Sequence, residues 1–392
     1  MAGALAARDD QEFQPDRGAG MEIAIVGAGA VGATAAYELA RRGADVTVYD
    51  RGSVASGASG RAAGVCYDAV ATEPAASLAR EAIERFRTLS GPDTFAFQDC
   101  PYVWLAREGD EKHAEAIESG LDRMADHGLP ARQIEPSALG DRFPALRVDD
   151  VAVAGVTTGA GYADPGAYTA CLAENAAAEG ASLETNTLVA VGVDPPRVLP
   201  QDGPPREVDA VLVAAGARSK RLLADASVSI AMKPYRVQAL ITAADVSEPM
   251  WYDATAGCYA RPHPDGLLAG DGTERAEADP ETYDRDASPG FAASLSDRLT
   301  HRLPALQPDV ERAWAGLCTA TPDRQPLVGQ LREGLSLATG FQGQGFMRAP
   351  ATGRRIADRL LGGPGIDAFR PTRFSGDESF AVREGMSVAD ED

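Results

Sequence analysis

A short apolar run, Met21–Val26, leads straight into Gly27-Ala28-Gly29-Ala30-Val31-Gly32, and few folds accept that junction. The three glycines do separate jobs. Gly27 permits the tight turn that leaves the strand, Gly29 lets the backbone approach a pyrophosphate, and Gly32 lets the following helix pack closely on the sheet. The N–H groups of that helix's first turn then face the phosphates. The spacing predicts a helix from about Val31 to Arg42 with Gly43 as its left-handed C-cap, then a strand through Val46 and Val48 to Asp50. An acid at that point, 23 residues beyond Gly27, can bind ribose hydroxyls. A strand–helix–strand unit of this length closes by a right-handed crossover with parallel pairing. The expected class is α/β, with a Rossmann-like dinucleotide unit at the start.

Further pieces of the same kind recur along the chain. Asp164-Pro165 supplies an N-cap and a first-turn proline for a helix whose apolar positions are Tyr168, Cys171, Leu172 and Ala176, closed by Gly180. A strand is expected over Thr187–Val191, a Pro-rich turn after it, and a strongly apolar strand over Val208–Ala215 ending at Gly216. Leu335–Thr339 reads as a last strand, followed by a glycine-rich loop and a helix at about Pro350–Leu361. Two less regular regions, 76–150 and 226–320, hold most of the Trp and Tyr, as a sheet-containing domain over a ligand would. The expected plan is a discontinuous dinucleotide domain over 21–75, 151–225 and 321–374. A mixed or antiparallel-sheet (α+β) substrate domain fills 76–150 and 226–320, between a disordered extension (1–20) and a mobile acidic tail (375–392).

The 392 residues suit two domains, and 44% apolar residues suit a full core. Formal net charge is −21, and Lys112, Lys220 and Lys233 are the only lysines among 37 basic residues. Such acidity repels nucleic acid and anionic lipid, so neither is an expected partner. An acidic, lysine-poor surface suits a salt-rich cytoplasm, hence a halophilic source; an Arg-biased acidic mesophile protein is the alternative. No stretch reads as a membrane span. Cys66, Cys100, Cys171, Cys258 and Cys318 show neither disulfide nor metal spacing, and the four histidines are scattered. A reducing cytoplasmic setting and no protein metal site are expected.

Beyond the first unit, Ser56-Gly57-Ala58-Ser59-Gly60-Arg61-Ala62-Ala63-Gly64-Val65 resembles the second fingerprint of the D-amino-acid oxidase and sarcosine oxidase superfamily of FAD-dependent oxidoreductases. Other matches follow in the superfamily's order: Gly161–Pro165, Thr187–Val189, Val211–Ala217, Lys233–Arg236, Tyr259–Pro262, Trp314–Gly316 and Thr321–Asp323. Gly340-Phe341-Gln342-Gly343-Gln344-Gly345-Phe346-Met347, followed by Ala349-Pro350, resembles the loop that contacts the flavin ring. The likeness spans about 21–374 and is closest to sarcosine oxidase β-subunits and dimethylglycine-dehydrogenase-like members. It implies FAD held by Gly27, Ala28, Gly29, Val31, Gly32, Asp50, Arg51, Ser59, Arg61, Ala63, Gly64, Val189, Ala215, Gly216, Gly343, Gln344, Gly345, Phe346 and Met347. The attachment cysteine of monomeric sarcosine oxidase aligns with Gly316, not Cys318, so non-covalent FAD is implied. The oxygen-activating lysine credited to that enzyme aligns near Leu268, which weakens an oxidase reading relative to a dehydrogenase.

The resemblance further implies oxidation of a small amine, an amino acid or N-methyl amino acid, by hydride transfer to flavin N5 and imine hydrolysis. Oxygen or an electron-transfer acceptor would take the electrons. No catalytic base is obligatory, and none is assigned. A substrate carboxylate needs Arg or Lys. The carboxylate-binding arginines of glycine oxidase relatives fall at Cys318 and near Gly343, so Arg348 and Arg261 are the candidates, with Arg61 third and closer to the cofactor. Tyr252 and Tyr259 are candidate cation–π walls, and Cys66 and Tyr67 candidate lining. The rival expectations are a hydroxy acid or glycerol phosphate substrate, or a non-catalytic flavoprotein acting as a heteromeric subunit or assembly factor.

Overall fold

The computed structural model describes residues 18–245, 249–271 and 273–383. Numbering only the elements used below, the chain runs β1 (Glu22–Val26), α1 (Ala30–Ala40), β2 (Asp45–Tyr49), α2 (Ala75–Leu89), β3 (Tyr102–Arg107), β4 (Val151–Thr157), α3 (Pro165–Ala178), β5 (Ser182–Glu184) and β6 (Ala210–Val213). It continues with β7 (Lys233–Ala243), β8 (Met250–Asp253), β9 (Cys258–His263), β10 (Gly266–Asp271), α4 (Phe291–Arg302), β11 (Asp309–Ala320), β12 (Leu327–Arg332), β13 (Leu335–Thr339) and α5 (Gly345–Leu360).

Six strands form the first sheet in the order β12-β13-β6-β1-β2-β5. Neighbours are parallel except β12, which returns antiparallel on β13. Strand order reverses at β1, so the chain leaving it opens a crevice at the carboxyl edge, the usual ligand position in such sheets. The apolar runs that read as strands are buried on both faces: all four residues of β6 and all five of β13 lie inside. Helix α1 is alanine-rich and buried on almost every side, because it is wedged between the sheet, α3 and α5. Asp164 caps α3 as its sequence suggested, accepting from Ala167 N at 2.6 Å.

The second sheet has eight strands, ordered β11-β7-β10-β9-β8-β3-β4 and then Ala131–Gln133, antiparallel throughout except for the parallel β8–β3 pair. A core of Val103, Leu105, Trp251, Leu267 and Leu295 fixes α4 against it. Behind that core sits an ion cluster. Arg302 and Arg107 both donate to Asp253 Oδ2, at 2.8 and 2.7 Å, while Arg302 and His301 reach Asp150 at 3.0 and 2.7 Å.

Five expectations shift. Val151–Thr157, assigned to the dinucleotide unit, pairs with β3 and belongs to the larger sheet. The strand expected over Thr187–Val191 forms instead as Val189–Val193, in a separate antiparallel three-stranded sheet. Helix α5 begins at Gly345, five residues before Pro350, so the proline stands inside the helix with no N–H to donate. The tail is docked over its described part: Val382 is buried, Lys233 Nζ donates to Phe380 O at 2.6 Å, and Gln342 Nε2 donates to Arg383 O at 2.7 Å. At the other end Gly18 N already bonds Arg42 O, so order starts before Met21; residues 1–17 and 384–392 lie outside the described residues. Among the described residues no helix is long and apolar enough to cross a membrane, and no side-chain cluster has the make-up of a metal site.

Candidate functional site

One continuous groove runs from the carboxyl edge of the first sheet to the inner face of the second. Its outer half is lined by Gly27, Asp50, Arg51, Thr187, Val189, Ala215 and Arg218, its inner half by Val31, Ala63, Gly64, Tyr67, Tyr259, Trp314 and Gly343–Met347. Gly29, Ser59, Arg61 and Gly216 line both.

The outer half is made of backbone. Gly27 stands at φ +118°, and a Cβ there would lie 2.4 Å from Ala214 O; a Cβ on Gly32 would lie 1.9 Å from Gly27 O. Neither position admits a side chain, so the first turn of α1 stays open toward the groove. Gly29, at the N-cap, brings no side chain to that helix end, whose N-terminal partial charge faces the groove. Ser59 Oγ accepts from Ala30 N at 2.9 Å, so the hydroxyl sits where a phosphate oxygen would compete for the same donors. Asp50 braces the turn: Oδ2 accepts from Ala28 N and Oδ1 from Gly52 N, both at 2.8 Å. Ala28 and Gly32 therefore act through the backbone and do not line the groove. Arg61 Nη1 donates to Ser56 O and Gly57 O, and Trp314 Nε1 donates to Arg61 O, tying this loop to β11. These donors, the small residues beside them and the acidic brace fit an adenine dinucleotide.

The inner half is apolar and aromatic. Gly345 opens α5 into it without a side-chain cap. Of the substrate candidates, Tyr259 and Tyr67 line the cavity. Tyr252 does not: it is buried on β8, paired across the strands with Tyr259. Arg261 is turned away from the cavity, donating to Ala63 O and Pro262 O and stacking 4.9 Å over Tyr162, which pins the second fingerprint loop to β9. Cys66 is fully buried behind Gly64. Arg348 does not line the cavity, but it contacts residues that do. Its Nη2 donates to Gln344 Oε1, and its charge feels Tyr67. Burial pulls its guanidinium down to about 10, with Tyr67 acting against that, and Nε and Nη1 have no hydrogen-bond partner among the described residues.

Several lining residues escaped the sequence reading. Tyr235 and Gln238 come from β7, and Asp271 and Thr273 from the end of β10 and just beyond. Asp271 carried a weak signal, an acid closing a buried apolar strand as Asp50 does. Cys318 also lines the cavity, its thiol pushed up to about 11 by burial against the bond to Tyr235.

An α/β sheet that opens a phosphate-ready turn beneath an antiparallel sheet defines a dinucleotide-dependent redox protein with a built-in substrate chamber. The family model described as FAD dependent oxidoreductase matches residues 22–359, and the chain belongs to that family. Among its relatives, glycine oxidase of Geobacillus kaustophilus (strain HTA426) is 29% identical over 86% of this chain and 92% of its own. Mitochondrial dimethylglycine dehydrogenase of Mus musculus is 25% identical over 87% of this chain, which spans 42% of that relative. Among solved structures, L-proline dehydrogenase from P. horikoshii superposes with a TM-score of 0.83 at 28% identity, covering 92% of this chain and 98% of that one. The chain is an FAD-dependent oxidoreductase of the amino-acid and amine-oxidising kind.

Proposed function

We propose that the chain oxidises the carbon–nitrogen bond of a small amino acid or N-methyl amino acid, with FAD bound non-covalently along the groove. The observation that carries this is Arg348. A buried cation with two unmet donors is costly unless an anion completes it, and a guanidinium is shaped for a carboxylate. Gln344, which lines the cavity and is held by Arg348, extends that polarity to the cavity wall. Glycine, dimethylglycine and L-proline, named for the relatives, share a carboxylate on the carbon beside the amine.

Bound FAD supplies a two-electron acceptor for the hydride leaving the α-carbon, after which water hydrolyses the imine. The protein's own part is to bind, orient and keep out water. Gln344, held from behind the cavity wall by Arg348, orients the carboxylate; Tyr67, Tyr259, Phe346 and Met347 form a dry wall around the reacting carbon. Gln344 N is spent on Phe341 O, but the uncapped start of α5 at Gly345 would present the positive end of the helix to a bound flavin. Gly316 near Arg61 and a thiol at Cys318 kept protonated by burial support non-covalent attachment. The acidic, lysine-poor surface and five free cysteines support a reducing, salt-rich cytoplasm as its setting.

The test is anaerobic bleaching of the flavin spectrum by glycine, sarcosine, dimethylglycine, L-proline, D-amino acids and glycerol phosphate, in high salt. Bleaching by members of the amino-acid set supports the reading. Bleaching by glycerol phosphate alone, or by none, overturns it in favour of a different substrate or a non-catalytic flavoprotein subunit. Repeating the positive case with oxygen and then a dye assigns the acceptor.

A further inference from the structure

Residues 273–288, between β10 and α4, form an irregular strap. Both of its ends are rooted in the second sheet. Arg236 of β7 is buried; it donates to Asp284 O at 3.0 Å and Ser288 Oγ at 2.9 Å and pairs with Glu274. Ala278 N donates to Pro234 O and Ala315 N to Arg285 O, both at 2.8 Å. The tip between these roots, Asp279–Tyr283, reaches across to the first sheet instead. Glu281 Oε2 accepts from Arg51 Nη1 at 2.6 Å and Oε1 from Arg218 Nε at 3.1 Å, while Arg218 Nη2 donates to Pro280 O at 3.0 Å. Just before the tip, Lys220 Nζ donates to Glu277 Oε1 at 2.6 Å. Arg51 follows β2 and Arg218 follows β6, the two strands that flank β1. One carboxylate therefore ties together both edges of the crevice that opens at the Gly27 turn, and Glu281 and Tyr283 line the outer half.

We propose that this strap is a latch on the cofactor groove: Glu281 bridges Arg51 and Arg218 over bound FAD and sets how fast the cofactor leaves. The proposal rests on the placement of FAD along the groove given above. With its roots held by a buried arginine and main-chain bonds, the part of the strap left to move is the tip. The pairs that hold the tip are partly exposed to water, so they open at little cost and reclose, as a latch must.

The test uses the FAD-loaded full chain and two readouts. One is FAD release on dilution, followed by the gain in flavin fluorescence; the other is the rate of trypsin cleavage at Arg275 or Arg285 of the strap, mapped by mass spectrometry. Glu281→Gln should quicken release by about tenfold, the order for two exposed ion pairs lost together, and should speed cleavage of the strap. Lys220 lines neither half of the groove, yet Lys220→Gln frees the strap at Glu277 and should quicken release by about threefold. If Glu281 is only a local contact of the cofactor, Glu281→Gln will speed release while strap cleavage and Lys220→Gln stay at wild-type values, and the latch is overturned. Wild type loaded with FAD beside a Glu281→Gln variant that releases it no faster sinks the latch alone. A wild type that takes up no FAD sinks the placement of the cofactor and the latch with it.

Discussion

The two halves of the groove are built from different materials. The outer half holds its ligand with main-chain groups: a turn that admits no side chain, an open helix end, and one carboxylate that braces the turn from 22 residues away. The inner half is a wall of side chains from β7, β9, β10, β11 and α5, drawn from more than a hundred residues of chain. Backbone recognition tolerates no added atom, whereas a side-chain wall trades one residue for another. The same scaffold can therefore keep its cofactor while its substrate changes.

Perturbing each half tests that contrast, and the largest effect belongs to the backbone. Gly32→Ala puts a methyl group 1.9 Å from Gly27 O, so the turn must open. The expected result is loss of bound flavin by about two orders of magnitude or more in affinity, read from the ratio of flavin to protein absorbance. Retained stoichiometric flavin would show that the turn is softer than its geometry implies. Behind the wall, Arg348→Leu should keep the flavin but lower kcat/KM for amino acids by about a hundredfold, because the buried charge that holds Gln344 toward the substrate carboxylate is lost. A variant that loses flavin and substrate together would make Arg348 a structural residue.

Truncation after Ser375 removes the segment that anchors Gln342 and Lys233. Flavin dissociation should quicken by about tenfold, with the fold intact by circular dichroism, because the flavin-side loop loses one of its supports. An unchanged rate would uncouple the tail from the site. The smallest effect lies outside the groove, at a site whose residues line neither half. Burial raises the Asp150 carboxyl, but bonds from His301 and Arg302 outweigh it and hold it below the ordinary value. A depressed carboxylate contributes stability above its unfolded pKa and loses it as pH falls through the folded one. Asp150→Asn should lower Tm by only about 2–4 °C near neutrality, since the site is partly exposed. The difference should vanish in acid below the carboxylate range. A gap that persists there would assign the effect to packing.

Legibility in the sequence divides along the same line. The turn at Gly27, its acidic partner Asp50 and the cap at Asp164 were readable because each works within a few residues of chain or one crossover. The flavin-side loop was readable as a motif, though α5 was expected to start at Pro350, since a buried helix overrides a proline's usual place. Val151–Thr157 was assigned to the wrong sheet because an apolar strand does not announce its neighbours; only pairing with Tyr102–Arg107 does. Asp271, Tyr235 and Gln238 went unseen for the same reason. Each becomes a wall residue only when β7, β9 and β10 pair; Asp271, an acid closing a buried apolar strand, carried no more than a weak local sign. Arg261 shows the converse, a plausible anion ligand by type whose donors fold back onto Ala63 and Pro262.

The central claim is that an adenine dinucleotide lies along the outer half with its ring system reaching the inner chamber. The flavin content of the purified, desalted protein tests it most directly. The account predicts a yellow protein with FAD equimolar to chain, all of it released into solution on acid denaturation. A colourless protein that takes up no added FAD in high salt would contradict it.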